Sequence, residues 1–150
     1  MRYILHEGSA ATIPIEQEIT IVEDYIALEK LRYDDRLQLH FEQDIDDPEQ
    51  KIAPLILLPF VENAFKHGAG ESRFGIRIDI RLTVQREELL FQVSNSCDEA
   101  AVLSEGIGLQ NVKRQLELIY DQDHSLNIQP EKDAFCVTLK IHLNGKSRFN

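Results

Sequence analysis

The sequence predicts a two-layer α/β sandwich of the α+β kind, with helices covering one face of a mostly antiparallel, mixed sheet. Four segments alternate apolar and polar residues with period two, and three others carry apolar residues at helical spacing. The polar positions within the alternating segments imply a sheet with one buried and one wetter face, which favours antiparallel pairing over a doubly wound parallel sheet. A length of 150 residues fits one domain, and a domain of that size buries about 68–70% of its unfolded surface without a covalent staple.

The elements follow in order. Residues 1–15 read as a leader or linker, with small and polar residues around Gly8-Ser9-Ala10-Ala11 and an end near Pro14. A helix is expected over 16–33, because Ile15, Ile19, Val22, Ile26 and Tyr33 mark one apolar stripe, with Glu16, Glu18, Glu23, Asp24 and Glu29 largely off it. Leu37, Leu39 and Phe41 alternate as a first strand. A second helix over 54–67 is apolar through residue 61 and then turns polar. Three further alternations follow, from Ile76 to Val84, from Leu89 to Val93 and from Phe135 to Leu143, with a shorter strand around Leu126-Asn127-Ile128. Leu109, Val112, Leu116 and Ile119 keep helical spacing, which gives a third helix over 109–120. The domain is expected to span 16–143, with 144–150 as a C-terminal tail.

Composition excludes several classes. A net charge of −10 argues against a nucleic-acid surface, which needs clustered Lys and Arg. Cys97 and Cys136 lie far apart with no C-x-x-C spacing, so reduced thiols and a cytoplasmic setting are expected rather than a disulfide or a zinc site. No apolar run approaches 18 residues, so no membrane contact is expected of this stretch.

Two segments concentrate polar chemistry. Glu62-Asn63-Ala64-Phe65-Lys66-His67-Gly68 puts an acid, a carboxamide, a cation and an imidazole at the end of an apolar helix, with Glu62 and Lys66 on one stripe and Asn63 and His67 on the next. A polar helix end stopped by Gly68 is the alternative. Gly106-Ile107-Gly108 runs directly into the third helix, where glycine lets a ligand approach the backbone and the free amides attract phosphate; a simple turn is the alternative. Asn95 continues the inward parity of Leu89, Phe91 and Val93, so its carboxamide is expected between sheet and helices, either bonded to its own loop or reading a base. His6, His40, His124 and His142 read as exposed or loop imidazoles, and Lys113 and Arg114 as solvated helix charges.

Together these segments resemble the N box and G2 box of the GHKL superfamily of ATP-binding domains, and within it the LytS-type sensor histidine kinases. The resemblance runs from Pro54 to Gly68 and from Gly106 to Tyr120, and takes in the upstream Tyr25-Ile26-Ala27-Leu28-Glu29-Lys30-Leu31-Arg32-Tyr33. It implies a Bergerat ATP-binding fold with ATP and Mg²⁺ as ligands. Asn63 would ligate the magnesium, Glu62 would act as the catalytic carboxylate, and Lys66 and His67 would face the phosphates. Gly106, Gly108, Leu109 and Asn111 would frame them, with Asn95 at the base and residues 98–105 as a short ATP lid. Where the family commonly carries Asp-x-Gly at the base site, this chain has Asn95-Ser96-Cys97, a weaker, neutral acceptor.

The implied reaction moves the γ-phosphoryl group of ATP to a histidine on a dimerisation helix, for relay to a response regulator. The family's Pro-His-Phe-x-x-Asn acceptor motif occurs nowhere in this sequence, so the acceptor-histidine helix region is expected upstream and self-phosphorylation by this stretch alone is not. The resemblance also implies a homodimeric, membrane-anchored full-length sensor. A non-catalytic nucleotide-sensing or interaction module is the main alternative, opened by the altered base site. A GHKL hydrolase or serine-directed kinase is a further one.

Overall fold

The computed structural model describes residues 11–68, 75–96, 107–130 and 134–143. Its elements are β1 (Ile13–Pro14), α1 (Ile15–Tyr33), β2 (Leu37–Ile45), β3 (Lys51–Ile52), α2 (Leu58–Gly68), β4 (Ile76–Gln85), β5 (Glu88–Ser96), α3 (Ile107–Ile119), β6 (His124–Pro130) and β7 (Ala134–His142). A five-stranded sheet has the order β2-β4-β5-β7-β6, and β1 pairs with β3 in a separate two-stranded ribbon. Among the described residues no helix is long and apolar enough to cross a membrane.

The expected mixed sheet is present, with three antiparallel pairs and one parallel pair, β2 with β4. Alternation alone cannot reveal that parallel pair. It arises because the connection from β2 to β4 runs through β3 and α2, and such a crossover returns the chain to the same sheet end. β4 and β5, by contrast, are joined by the two-residue turn Arg86-Glu87, both with positive φ (53° and 69°), which suits the twist of a tight hairpin.

Strand alternation sorts the two faces. In β4, Ile76, Ile78, Ile80, Leu82 and Val84 are buried, whereas Arg77 and Arg81 are exposed. Helices α2 and α3 pack against each other, and α2 packs on β4 and β5. Phe60 of α2 and Phe91 of β5 meet at a centroid distance of 6.4 Å, both fully buried. Each such side chain contributes about 1.5–3 kcal/mol by leaving water. On the opposite face Arg81 pairs with Glu42 at 3.1 Å and Arg77 with Asp79 at 3.4 Å. Those exposed pairs add little to stability.

Several boundaries differ from the sequence reading. The second helix starts at Leu58, not at 54, because Leu55 adopts a left-handed φ of 60° and residues 55–57 turn their amides towards α1. The third helix starts at Ile107, which puts Gly108 inside its first turn rather than ahead of it. Ile13 and Pro14 pair with Ile52 and Lys51, and Ile15 is fully buried, so packing begins upstream of position 16. His40 is exposed, as expected, on strand β2, whereas His124 and His142 are half-buried on strands β6 and β7 rather than in loops. Residues 1–10, 97–106 and 144–150, with His6, Cys97, Gly106 and the expected lid among them, fall outside the described residues.

Gly75 leads into β4 with φ +97°, and a Cβ added there would lie 2.6 Å from the backbone oxygen of Arg36. Gly75→Ala is therefore expected to destabilise the domain by about 1–3 kcal/mol, read as a lower urea midpoint at unchanged m-value. An unaltered midpoint would show that the β2–β4 junction adapts freely.

Candidate functional site

The described site grows from three elements brought together at one point. Glu18 of α1 is fully buried. Its carboxylate accepts hydrogen bonds from the backbone N–H groups of Leu55 (2.9 Å), Ile56 (2.9 Å) and Leu57 (2.8 Å), the residues that lead into α2. Amides at a helix entrance have no partner within the helix, and successive N–H groups in a turn form a concavity suited to an anion. Glu18 fills it. On the other side of the same segment, the Ala53 N–H donates to the Tyr120 hydroxyl at 2.9 Å, just past the end of α3. Helix α1, the approach to α2 and the exit of α3 thus meet in a single hydrogen-bonded cluster.

Glu18 was not foreseen as a buried group. Its position one turn after Ile15 and one turn before Val22 was the available signal, since both neighbours belong to the apolar stripe. An acid there reads as surface unless an unpaired set of amides is known to face it.

Along α2, Asn63, Ala64 and Phe65 are buried, and Glu62 and Lys66 are exposed. Phe65 is gripped by two tyrosines of α1: Tyr25 meets it edge-on at 5.6 Å and Tyr33 stacks at 6.1 Å with a 22° interplanar angle. Glu62 lies on this α1-facing side as well. The Tyr25 phenol is pushed up to about 12, first by burial and then by the charges of Glu29 and Glu62. Asn63, 7% exposed, is the carboxamide that α2 carries into the interior. The side chain of His67 lies outside the described set.

Asn95, 3% exposed, ends β5 between Ile78 of β4 and Phe135 of β7. Its inward parity holds, and its Nδ2 donates to the Ser96 carbonyl at 3.1 Å, the local bond that the alternative reading envisaged. Across the interior, α3 buries Leu109 in the core and exposes Gly108 and Asn111. A Cβ on Gly108 would meet nothing within 4 Å. Tyr120 joins the exit of α3 to the approach of α2, so the entrance of α3 and the exit of α2 both lie away from that junction. Among the described residues no three His, Cys, Asp or Glu side chains form a metal-holding group.

Comparison with known proteins gives this geometry a family. A family model described as histidine kinase matches residues 1–37. Sensor protein kinase HptS of Staphylococcus aureus (strain USA300) is 34% identical over 125 residues, which is 83% of this chain and 23% of that protein. The chain carries a GHKL-type histidine kinase catalytic domain. The kinase domain thus spans about a quarter of the length of the curated relatives it matches. Among solved structures, the histidine kinase domain of the Erythrobacter litoralis EL346 blue-light activated kinase aligns with a TM-score of 0.66 at 17% identity, covering 94% of this chain and 73% of that one. Histidine kinase ThkA, in its complex with the response regulator protein TrrA, aligns at 0.58 and 12%, covering 87% and 41%. Histidine kinase catalytic domains of this fold bind nucleotide.

Burial pushes the Glu18 carboxyl above its ordinary value of 4.5, while the amides of Leu57, Leu55 and Ile56 pull it back down. A carboxyl that titrates higher in the folded than in the unfolded chain stabilises fully below the unfolded value. That contribution is lost as pH rises through the folded value. The stability difference between the wild-type kinase domain and Glu18→Gln, measured by urea unfolding, should therefore shrink as pH is raised from below 4.5. A difference that grows across that interval would place the carboxyl below its ordinary range.

Proposed function

We propose that residues 16–143, with 13–15 already packed against them, form a protein-histidine kinase catalytic domain that binds ATP with Mg²⁺. Residues 1–15 connect it to an acceptor-histidine helix region, and 144–150 form a tail. The observation that carries this reading is the pair of buried carboxamides, Asn63 on α2 and Asn95 on β5, on two elements that pack together. A carboxamide donates through its nitrogen and accepts through its oxygen, so with the Asn95 nitrogen bonded to the Ser96 carbonyl its oxygen is the atom offered to a base amino group, and the Asn63 oxygen is a hard ligand for a metal ion.

In this reading the Asn63 oxygen holds Mg²⁺, a hard cation that needs only one or two protein oxygens beside phosphate and water. Bound magnesium supplies charge neutralisation at the phosphates. The exposed Lys66, with His67, Gly106, Gly108, Leu109 and Asn111, lines the phosphate side, and the open space at Gly108 leaves its backbone approachable. Asn95 reads the base through a neutral carboxamide. Glu62, solvent-exposed on α2, orients the acceptor imidazole and holds its proton. A ring nitrogen forms the N–P bond as the bond from the γ-phosphorus to the bridging oxygen breaks and ADP leaves. The phosphoryl group then passes to a response regulator, a partner class that ThkA also engages. The full-length protein is proposed to be a homodimeric, membrane-anchored sensor with this domain on the cytoplasmic side.

Gly108→Ala meets no steric obstacle in the ligand-free domain, so its unfolding free energy, read from urea denaturation, should change by no more than about 0.5 kcal/mol. Its affinity for ATP with Mg²⁺, measured by calorimetry, should fall at least several-fold, because the new methyl group stands where phosphates approach. Equal affinity for both proteins would remove Gly108 from the site, and no binding by the folded wild type at millimolar ATP would favour a non-catalytic module.

Supplied with its acceptor-helix region, the domain should transfer phosphate, and Glu62→Gln should slow transfer by about 10²–10⁴-fold while leaving ATP affinity nearly unchanged. Asn95→Asp should hold or tighten adenine nucleotide and Asn95→Leu should weaken it. Transfer by Glu62→Gln at the wild-type rate would return Glu62 to an ordinary polar helix residue.

A further inference from the structure

Helix α1 touches α2 at two points that match in spacing. At the first, Glu18 binds the amides of Leu55, Ile56 and Leu57. At the second, Tyr25 packs edge-on against Phe65, on whose ring Tyr33 also stacks. Seven residues separate Glu18 from Tyr25, about 10 Å of helix rise, and eight separate Leu57 from Phe65, about 12 Å. The two helices are therefore held side by side, in the same direction, at both ends of the stretch that contains Glu62 and Asn63. One contact fixes the start of α2 and the other fixes its rotation about its own axis.

Rotation matters because Phe65 and Glu62 share the α1-facing side while Asn63 turns inward. A helix turns 100° per residue, so a small rotation of α2 moves the carboxylate and the carboxamide together. Burial of Ile56 and Leu57 fixes where residues 55–57 sit, and the Glu18 carboxylate holds the path of their amides, with a left-handed turn at Leu55 that stands against ordinary backbone preference.

We propose that Glu18 and Tyr25 are positioning residues that set the orientation of Glu62 and Asn63 from α1, so that displacement of α1 alters the nucleotide site. The clamp is a link between the chain upstream of the domain and its site, and it rests on the proposed nucleotide reading for its consequence but not for its geometry. Glu18→Gln keeps the length of the side chain and replaces one accepting oxygen by an NH₂ group that faces amide donors. Tyr25→Ala removes the edge contact on Phe65 at a half-buried position and leaves the core residues in place.

The test has two arms, each on the whole 150-residue chain. In the ligand-free protein, the side-chain NH₂ signals of Asn63 in a ¹⁵N-edited spectrum should shift in both variants, while amides of β6 and β7 keep their wild-type positions. In the second arm, ATP with Mg²⁺ is titrated at a temperature where each variant is folded by near-ultraviolet circular dichroism, and Kd should rise about tenfold or more. Glu18→Asp, which restores a carboxylate, should recover part of that loss, which a general loss of stability would not show. Should Glu18→Gln fail to fold, Tyr25→Ala carries both arms. Unchanged Asn63 signals in the folded variants would overturn the clamp, whether or not ATP binds. Wild-type failure to bind ATP would sink the nucleotide reading alone, since the first arm still decides the geometry.

Discussion

A single carboxylate organises the helical layer of this domain. Glu18 is removed from water and placed against three backbone amides whose chain has left helical geometry to meet it. Burial penalises the charged form of the acid and pushes its titration upward. Leaving the amides without an acceptor would cost about 1–3 kcal/mol for each buried group. The arrangement persists because both needs are met at once. Tyr120 adds a neutral acceptor for Ala53 on the neighbouring side, and its own hydroxyl is pushed upward by burial.

This explains why the segment before α2 is neither helix nor strand although it is almost wholly apolar. Ile56 and Leu57 are buried side chains on a backbone that is bonded sideways. Hydrophobic burial fixes where the segment sits, and the polar contacts fix its path. The sheet beneath offers an apolar platform at Ile80, Leu82 and Phe91, and β5 ends in Asn95, where that platform gives way to a polar atom.

Much of the fold was legible in the chain. Strands β4, β5 and β7 declare themselves by strict alternation, and the stripe of Ile15, Ile19, Val22 and Ile26 declares α1. The two-residue strands β1 and β3 were not legible, since two residues carry no period. The parallel pairing of β2 with β4 depends on the whole crossover rather than on either strand. At the site, the burial of Asn95 followed from strand parity, whereas the burial of Asn63 did not, because helical spacing grouped it with Glu62, Lys66 and His67 at one polar helix end. Glu18 escaped because its partners are backbone amides, which every residue has and no side-chain pattern reveals.

The sheet order leaves β2 and β6 as its two borders. A border strand offers unpaired backbone groups to any passing strand, so its side chains decide whether association follows. Along β2, Gln38, His40, Glu42 and Asp44 are all exposed, and an added strand would have to bring its own side chains alongside these polar and acidic groups. β6 closes at Pro130, which has no N–H to donate. Among the described residues, both borders therefore carry features that disfavour lateral growth of the sheet into a neighbouring molecule.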